Sequence, residues 1–339
     1  MSKTTPDGQI DFYFDFTSPY SYLASGELES IAARYDQQVN WIPTMLGVLF
    51  KQTGGIALTA QHPWKAQYFL KAFVRSAEYR GLPYVPPAVF PQASQNPSRI
   101  LIWLQQTAPD KALLFGREVF RLIFERNGNI HDLEALAAIG RDLGIDEAGL
   151  RAAPQDEAIK AGFIANNEEA ASRQVFGAPT FFIGDEQFWG NDRLPQLEWR
   201  LSQRAGGRSH KVLVGAANRK IETLTAEQAL AEHGRPGVVF VDIRDPRELE
   251  REGMVEGALH APRGMVEFWI DPKSPYYKDG FTADKRYIFY CAGGLRSALT
   301  TATVVDMGVL PDVAHIEGGF GAWKKAGGKV QEKPGRTGG

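Results

Sequence analysis

The residues that most restrict how this chain can fold are Tyr287 to Ser297. Tyr287-Ile288-Phe289-Tyr290 is an apolar run that reads as a buried strand. It breaks at the chain's only cysteine into the glycine-rich loop Cys291-Ala292-Gly293-Gly294-Leu295-Arg296-Ser297, and a helix-compatible stretch follows. A strand that passes through a short loop into a helix is a building step of an α/β layer, so an α/β unit is expected around it. Such a loop can aim several backbone N–H groups, and the positive end of the next helix, at the thiol. That arrangement stabilises a thiolate or a bound anion. A lone cysteine is otherwise a small buried hydrophobe, and it is the loop that argues for chemistry at Cys291.

The same pattern recurs upstream. Thr225 with Gln228 forms a capping-box signature, and Val238 to Ile243 is a continuous apolar strand of the kind buried in parallel sheets. Before it, Arg204-Ala205-Gly206-Gly207-Arg208-Ser209-His210-Lys211 is polar and glycine-rich, as linkers are. The expected organisation is a first domain over 1–203, a linker over 204–216, a second domain over 217–333 and a flexible tail over 334–339.

The first domain opens on a strand in which Ile10, Phe12, Phe14 and Phe16 alternate with Asp11, Tyr13 and Asp15. Ser18 then stands at a helix N-cap with Pro19 at the first helical position, and Ala24, Leu28, Ile31 and Tyr35 form one helical stripe. A capping hydroxyl at a helix N-terminus can serve the helix or hold a thiolate. A long helical section spans roughly residues 62 to 173, with stretches at Trp64 to Tyr79, Ala112 to Arg126 and Asp132 to Leu143. The chain returns through Phe176 to Ile183, a turn at Gly184-Asp185, and Gln187 to Leu194. Strand, helix, helical insertion and a Pro-Thr hairpin is the order of a thioredoxin-type fold.

Composition excludes other classes. In 339 residues, 38 Lys and Arg against 40 Asp and Glu leave a formal net charge of −2, which offers no basic footprint for nucleic acid and no attraction to anionic membranes. No apolar stretch has the length of a membrane span, and the start of the chain does not resemble a signal peptide. One cysteine permits no internal disulfide, so a cytoplasmic location is expected. The six scattered histidines suggest no metal site. Small molecules are the expected partners, and a homodimer is left open.

Three segments resemble rhodanese-like sulfurtransferases: Phe240-Val241-Asp242-Ile243-Arg244-Asp245-Pro246-Arg247-Glu248-Leu249, the Cys291 loop, and Ile316-Glu317-Gly318-Gly319-Phe320-Gly321-Ala322-Trp323. The resemblance implies that Cys291 carries sulfane sulfur as a persulfide, cradled by Ala292, Gly293, Gly294, Leu295, Arg296 and Ser297. Arg296 has a structural alternative, pairing with Asp242 or Glu248. A phosphatase loop needs five residues between nucleophile and arginine, and Arg296 follows Cys291 after four, so a tetrahedral phosphate is expected to fit poorly.

Phe14-Asp15-Phe16-Thr17-Ser18-Pro19-Tyr20-Ser21-Tyr22-Leu23-Ala24, with Phe176-Gly177-Ala178-Pro179-Thr180 and Trp189-Gly190-Asn191-Asp192-Arg193-Leu194, resembles the 2-hydroxychromene-2-carboxylate isomerases. These are relatives of kappa-class glutathione transferases and DsbA-like proteins. The resemblance implies glutathione as cofactor, its thiolate held by Ser18 and its backbone paired with Ala178 and Pro179. Its polar ends would lie against Trp189, Gly190, Asn191 and Asp192, and Lys51 would contact the substrate carboxylate. Segments 54–63 and 90–96 depart from the family pattern where they would shape the aromatic pocket. Ser18 and Ser21 stand where a Cys-x-x-Cys pair would be, which excludes a dithiol oxidoreductase. The expected protein is a bifunctional enzyme, a glutathione-dependent isomerase or transferase joined to a sulfurtransferase. The alternative is a sulfurtransferase whose first domain only binds glutathione or a thiol partner.

Overall fold

The computed structural model describes residues 4–333, apart from the side chain of Thr59. The tail over 334–339 lies outside the described residues. The chain divides into two units, Met1–Gly207 and Arg208–Gly339.

In the first unit, β1 (Gln9–Phe14) leads into α1 (Pro19–Ser25) and α2 (Leu28–Ala33), and β2 (Gln38–Pro43) pairs parallel to β1. The helical insertion comprises α3 (Leu46–Thr53), α4 (Pro63–Tyr79), α5 (Gln95–Thr107), α6 (Pro109–Phe124), α7 (Leu133–Asp142), α8 (Glu147–Ala152) and α9 (Glu157–Ser172). β3 (Thr180–Ile183) then runs antiparallel to β1, β4 (Glu186–Trp189) folds back on β3, and α10 (Leu194–Arg204) closes the unit. The sheet order β2-β1-β3-β4 is the thioredoxin order that the sequence predicts. The expected stripe is buried but not one helix: Ala24 lies on α1, which stops at Ser25, Leu28 and Ile31 lie on α2, and Tyr35 lies past its end at Ala33.

β1 is buried on both faces. On the apolar face, Phe12 stacks on Phe181 with ring centroids 5.3 Å apart and meets the edge of Trp41 at 5.2 Å. On the other face, Asp11 pairs with Arg173 at 2.7 Å and accepts hydrogen bonds from Thr5 and Asn40, while Tyr13 Oη donates to Glu169 at 2.6 Å. Burial alone would raise the Asp11 carboxyl, and the hydrogen bonds from Thr5, Asn40, Arg173 and Gln9 outweigh it and hold the group below its ordinary value. The charged face of the strand pattern thus marks a satisfied internal network.

The second unit runs α11 (His210–Asn218), β5 (Glu222–Leu224), α12 (Ala226–Glu232), β6 (Val238–Asp242), α13 (Pro246–Glu252), β7 (Met254–Val255) and β8 (Leu259–His260). It continues with α14 (Val266–Ile270), β9 (Arg286–Tyr290), α15 (Leu295–Met307), β10 (Asp312–Ile316), α16 (Gly319–Lys325) and β11 (Val330–Gln331). Five parallel strands in the order β5-β10-β9-β6-β8 put β9, and hence Cys291, at the centre. The capping box at Thr225 and Gln228 is formed in both directions. The linker expected over 204–216 is corrected: Ser209 caps α11, accepting from the Val212 N–H, and Ala217 of that helix packs with Ala298 and Ala302 of α15. Residues 210–216 therefore belong to the second unit. Among the described residues, no helix is long and apolar enough to cross a membrane.

Candidate functional site

Ser18 sits where β1 has ended and α1 begins. As N-cap its Oγ accepts from the Ser21 N–H at 3.2 Å and donates to the Ala178 carbonyl at 3.0 Å. The Ala178–Pro179 peptide bond is cis, and the Pro179 carbonyl accepts from the Gly190 N–H at 2.9 Å. Gly190 has φ +104°, a conformation that L side chains rarely adopt, so the turn favours glycine. Trp189 meets Phe176 edge-on at 4.7 Å and is half exposed; Asn191 is buried, and its carbonyl accepts from Arg80. Asp192 does not cap α10, whose N-cap is Arg193; it is exposed and pairs with Arg193 at 3.4 Å.

These residues surround a cavity of about 1060 Å³ whose walls include Ser18, Ala178, Pro179 and Trp189 to Asp192. Segments 54–58 and 90–95 also line it, as the sequence reading anticipates for the pocket-shaping regions. Lys51 is exposed on α3 and is not among the lining residues, although Gly47 and Phe50 of that helix are. A one-residue step on a helix turns the side chain by about 100°. The cations in the wall are Lys65, Arg80 and Arg193. Arg80 is paired with Glu27 at 2.9 Å and Arg193 with Asp192, while Lys65 is exposed on α4 with its Nζ 5.9 Å from the Phe69 ring. Lys65 was legible as part of a stripe: Lys65, Tyr68, Phe69, Ala72 and Ser76 recur at helical spacing, and all five line the cavity.

Two further lining residues were not singled out from sequence. Burial pushes the Asp15 carboxyl up, even though it accepts the N–H groups of Thr17 at 2.9 Å and Leu46 at 2.8 Å. Burial, with the charges of Tyr68 and Asp192, pushes the Tyr20 phenol up to about 12, so Tyr20 remains a hydrogen-bond donor at neutral pH.

In the second unit, Cys291 is 1% exposed at the end of β9. The loop that wraps it is held from the neighbouring turn: the Phe320 N–H donates to the Cys291 carbonyl at 2.7 Å and the Gly321 N–H to the Ala292 carbonyl at 3.0 Å. Gly319, at φ +57°, lies so close that a Cβ would sit 2.2 Å from the Cys291 oxygen and 2.8 Å from the Gly294 nitrogen. The Gly318-Gly319 pair is thus a brace for the sulfur loop. Ser297 donates its N–H to Sγ at 3.4 Å, with its Oγ 3.7 Å away. Arg296 forks onto Glu248 with two contacts of 2.7 Å, and that guanidinium holds the Glu248 carboxyl down at about 2. Of the two alternatives for pairing, Glu248 is the partner; Asp242 is engaged by Arg244 at 2.7 Å. Among the described residues, no group of three or more His, Cys, Asp or Glu side chains is placed to hold a metal ion.

The first unit is therefore a thioredoxin-type domain with a serine, and no dithiol, at the reactive helix terminus. The family model for a DSBA-like thioredoxin domain matches residues 9–202, and the model for a rhodanese-like domain matches 225–326. The chain belongs to the DsbA-like thioredoxin-domain family and carries a rhodanese-like domain behind it. It is 31% identical over 191 residues to the 2-hydroxychromene-2-carboxylate isomerase of Pseudomonas putida, covering 56% of this chain and 92% of that protein. Kappa-class glutathione transferases of Caenorhabditis elegans match the same region at 24% and 26% identity. A solved structure of a 2-hydroxychromene-2-carboxylate isomerase is similar at TM-score 0.53 and 29% identity, over 58% of this chain and 96% of that one. A solved Rhodopseudomonas palustris protein of unknown function, described as a "possible tyrosine phosphatase", is 58% identical over 37% of this chain and 95% of its own, at TM-score 0.36.

Proposed function

We propose that the first unit is a glutathione-dependent isomerase or transferase acting on an aromatic carboxylate or a related electrophile, and that the second unit carries sulfane sulfur on Cys291. The observation that supports the first half is the Ser18 hydroxyl at a helix N-terminus, 3.0 Å from the Ala178 carbonyl, on the wall of a cavity of about 1060 Å³. That volume accommodates a tripeptide and a ring compound together. A bound glutathione thiolate takes over the hydroxyl proton that Ser18 gives to Ala178, and the thiolate is the attacking species. On a hydroxychromene carboxylate it adds to the conjugated ring and the ring C–O bond opens. A bond in the adduct then rotates, and elimination expels the thiolate unchanged. Lys65, rather than Lys51, holds the substrate carboxylate, which supplies orientation.

The test is a spectrophotometric assay of 2-hydroxychromene-2-carboxylate with and without glutathione. Turnover that requires glutathione, and a kcat/KM about 10²-fold lower in Ser18→Ala, are expected. Turnover indifferent to Ser18 sinks the mechanism. Glutathione binding without turnover selects the second reading, a domain that only binds glutathione or a thiol partner, which the departures in 54–63 and the position of Lys51 favour. For the second unit, the protein is incubated with thiosulfate or with glutathione persulfide, and intact mass is read before and after cyanide. A gain of one sulfur that cyanide removes and Cys291→Ser lacks is the expected result. With Arg296 neutralised by Glu248, the persulfide is expected to be the better donor.

A further inference from the structure

One buried titratable group beside the sulfur site has no part in the scheme above. His315 lies on β10, in register with Phe289 of β9 and Thr223 of β5, and is 2% exposed. Its Nε2 is 3.1 Å from Thr223 Oγ1 and its Nδ1 is 3.4 Å from Ser297 Oγ, the hydroxyl that lies 3.7 Å from Cys291 Sγ and 3.0 Å from the Gly294 carbonyl. Four side chains from three elements and one strand end thus form a line: Thr223, His315, Ser297, Cys291.

Proton counting gives the line a direction. Burial pushes the His315 imidazolium down to about 4, so near neutral pH the ring has one N–H and one lone pair. Ser297 has one hydroxyl proton and several claimants: the Gly294 carbonyl, the sulfur and, in one tautomer, the imidazole. If Nδ1 carried the lone pair, the ring would compete for that proton. If Nδ1 carries the proton, it fills a lone pair of Ser297, and the hydroxyl is free to turn from Gly294 to an anionic sulfur. The Thr223 hydroxyl, 3.1 Å from Nε2, completes this second tautomer by donating to the Nε2 lone pair.

We propose that His315 is a positioning residue for the sulfur site: held as the Nδ1–H tautomer by Thr223, it donates to Ser297 and directs the Ser297 hydroxyl proton onto the sulfur anion at Cys291. This rests on the sulfur-carrier reading of the second unit. The other charged groups around the loop are Arg296 of α15 with Glu248 of α13, and Asp242 of β6 with Arg244. Lys324 of α16 lies over the Phe320 ring, and Glu222 of β5 is engaged by Arg286. Arg296 also interacts with Cys291 itself, by charge and by a hydrogen bond, and none of these contacts involves His315.

Full-length protein and the variants His315→Leu, His315→Asn, Ser297→Ala and Ser297→Ala/His315→Leu are compared by the pH profile of Cys291 alkylation with iodoacetamide. His315→Leu is expected to move the profile to higher pH and slow alkylation at pH 7 about tenfold, the size of one hydrogen bond to an ionised group. His315→Asn, whose amide N–H replaces Nδ1–H, stays within about twofold of the parent. The double variant is no slower than Ser297→Ala, because His315 acts through Ser297. Nitrogen NMR of labelled histidine reads the Nδ1–H tautomer in the parent. An unchanged profile in His315→Leu, losses that add to those of Ser297→Ala, or an Nε2–H tautomer overturns the proposal. Failure of the sulfur-carrier reading is seen separately, as no mass gain in the parent with either donor, while alkylation still reports on His315.

Discussion

The two units place their reactive atoms at the same kind of address, the step from a central strand into a helix N-terminus, yet build opposite surroundings. Around Ser18 the walls stand back to leave about 1060 Å³; around Cys291 the backbone closes in until Gly319 would strike a carbonyl oxygen if it had a side chain. The difference suits the proposed function, in which the reagent comes from outside at one site and is carried by the chain at the other. A serine site that borrows an outside thiol needs room for two molecules, and its selectivity lies in walls drawn from α3, α4 and the 90–95 segment. A cysteine site that carries its own sulfur needs backbone donors at contact distance, so its selectivity lies in glycines and a short loop.

Gly319→Ala is the hardest test of that contrast. The added methyl meets the Cys291 oxygen at 2.2 Å, so the loop must open, and sulfur uptake measured by intact mass is expected to vanish while the Ser18 site keeps its activity. Retained uptake would mean the brace is dispensable. The units are alike in a second respect, a buried Asp–Arg pair whose aspartate lies on a sheet strand: Asp11 with Arg173 and Asp242 with Arg244, each at 2.7 Å. Arg173→Met and Arg244→Met each leave a buried carboxylate unpaired and are expected to cost about 3–5 kcal/mol. Denaturant melts followed in each unit should show the loss in the unit that carries the substitution.

A smaller effect separates the two lysines. Lys65→Met is expected to raise KM for a carboxylate substrate about tenfold, as loss of one charge-assisted contact does, and Lys51→Met to change it less than about twofold. The reverse order would restore the role first expected of Lys51. The smallest effect concerns acid. Glu248 is held at about 2 in the folded chain against an ordinary 4.5, so its pair with Arg296 stabilises fully above about 4.5 and is lost as pH falls toward 2. Glu248→Gln should flatten that part of the acid unfolding curve of the second unit. It also releases Arg296, so inhibition by added phosphate or sulfate should strengthen. No gain in anion affinity would show that Arg296 does not serve the loop.

Much of this was open to reading along the chain, because it is local. The caps at Ser18 and Thr225, the strand into Cys291, the turn at Gly190 and the Pro179 hairpin each depend on residues a few positions apart, where period and backbone chemistry decide. Asp11 and Arg173 are 162 positions apart, and nothing in the spacing announces that pair; for Arg296 the sequence offers Asp242 or Glu248, and only the tertiary structure chooses Glu248. The segment 210–216 looked like a linker because its polarity suits a surface, and it is a helix because α15 offers its small residues a seat. Lys51 and Lys65 are equally plain in sequence. Which of them faces the cavity depends on how α3 and α4 are rotated against the sheet, and that rotation is set by packing among segments far apart in the chain.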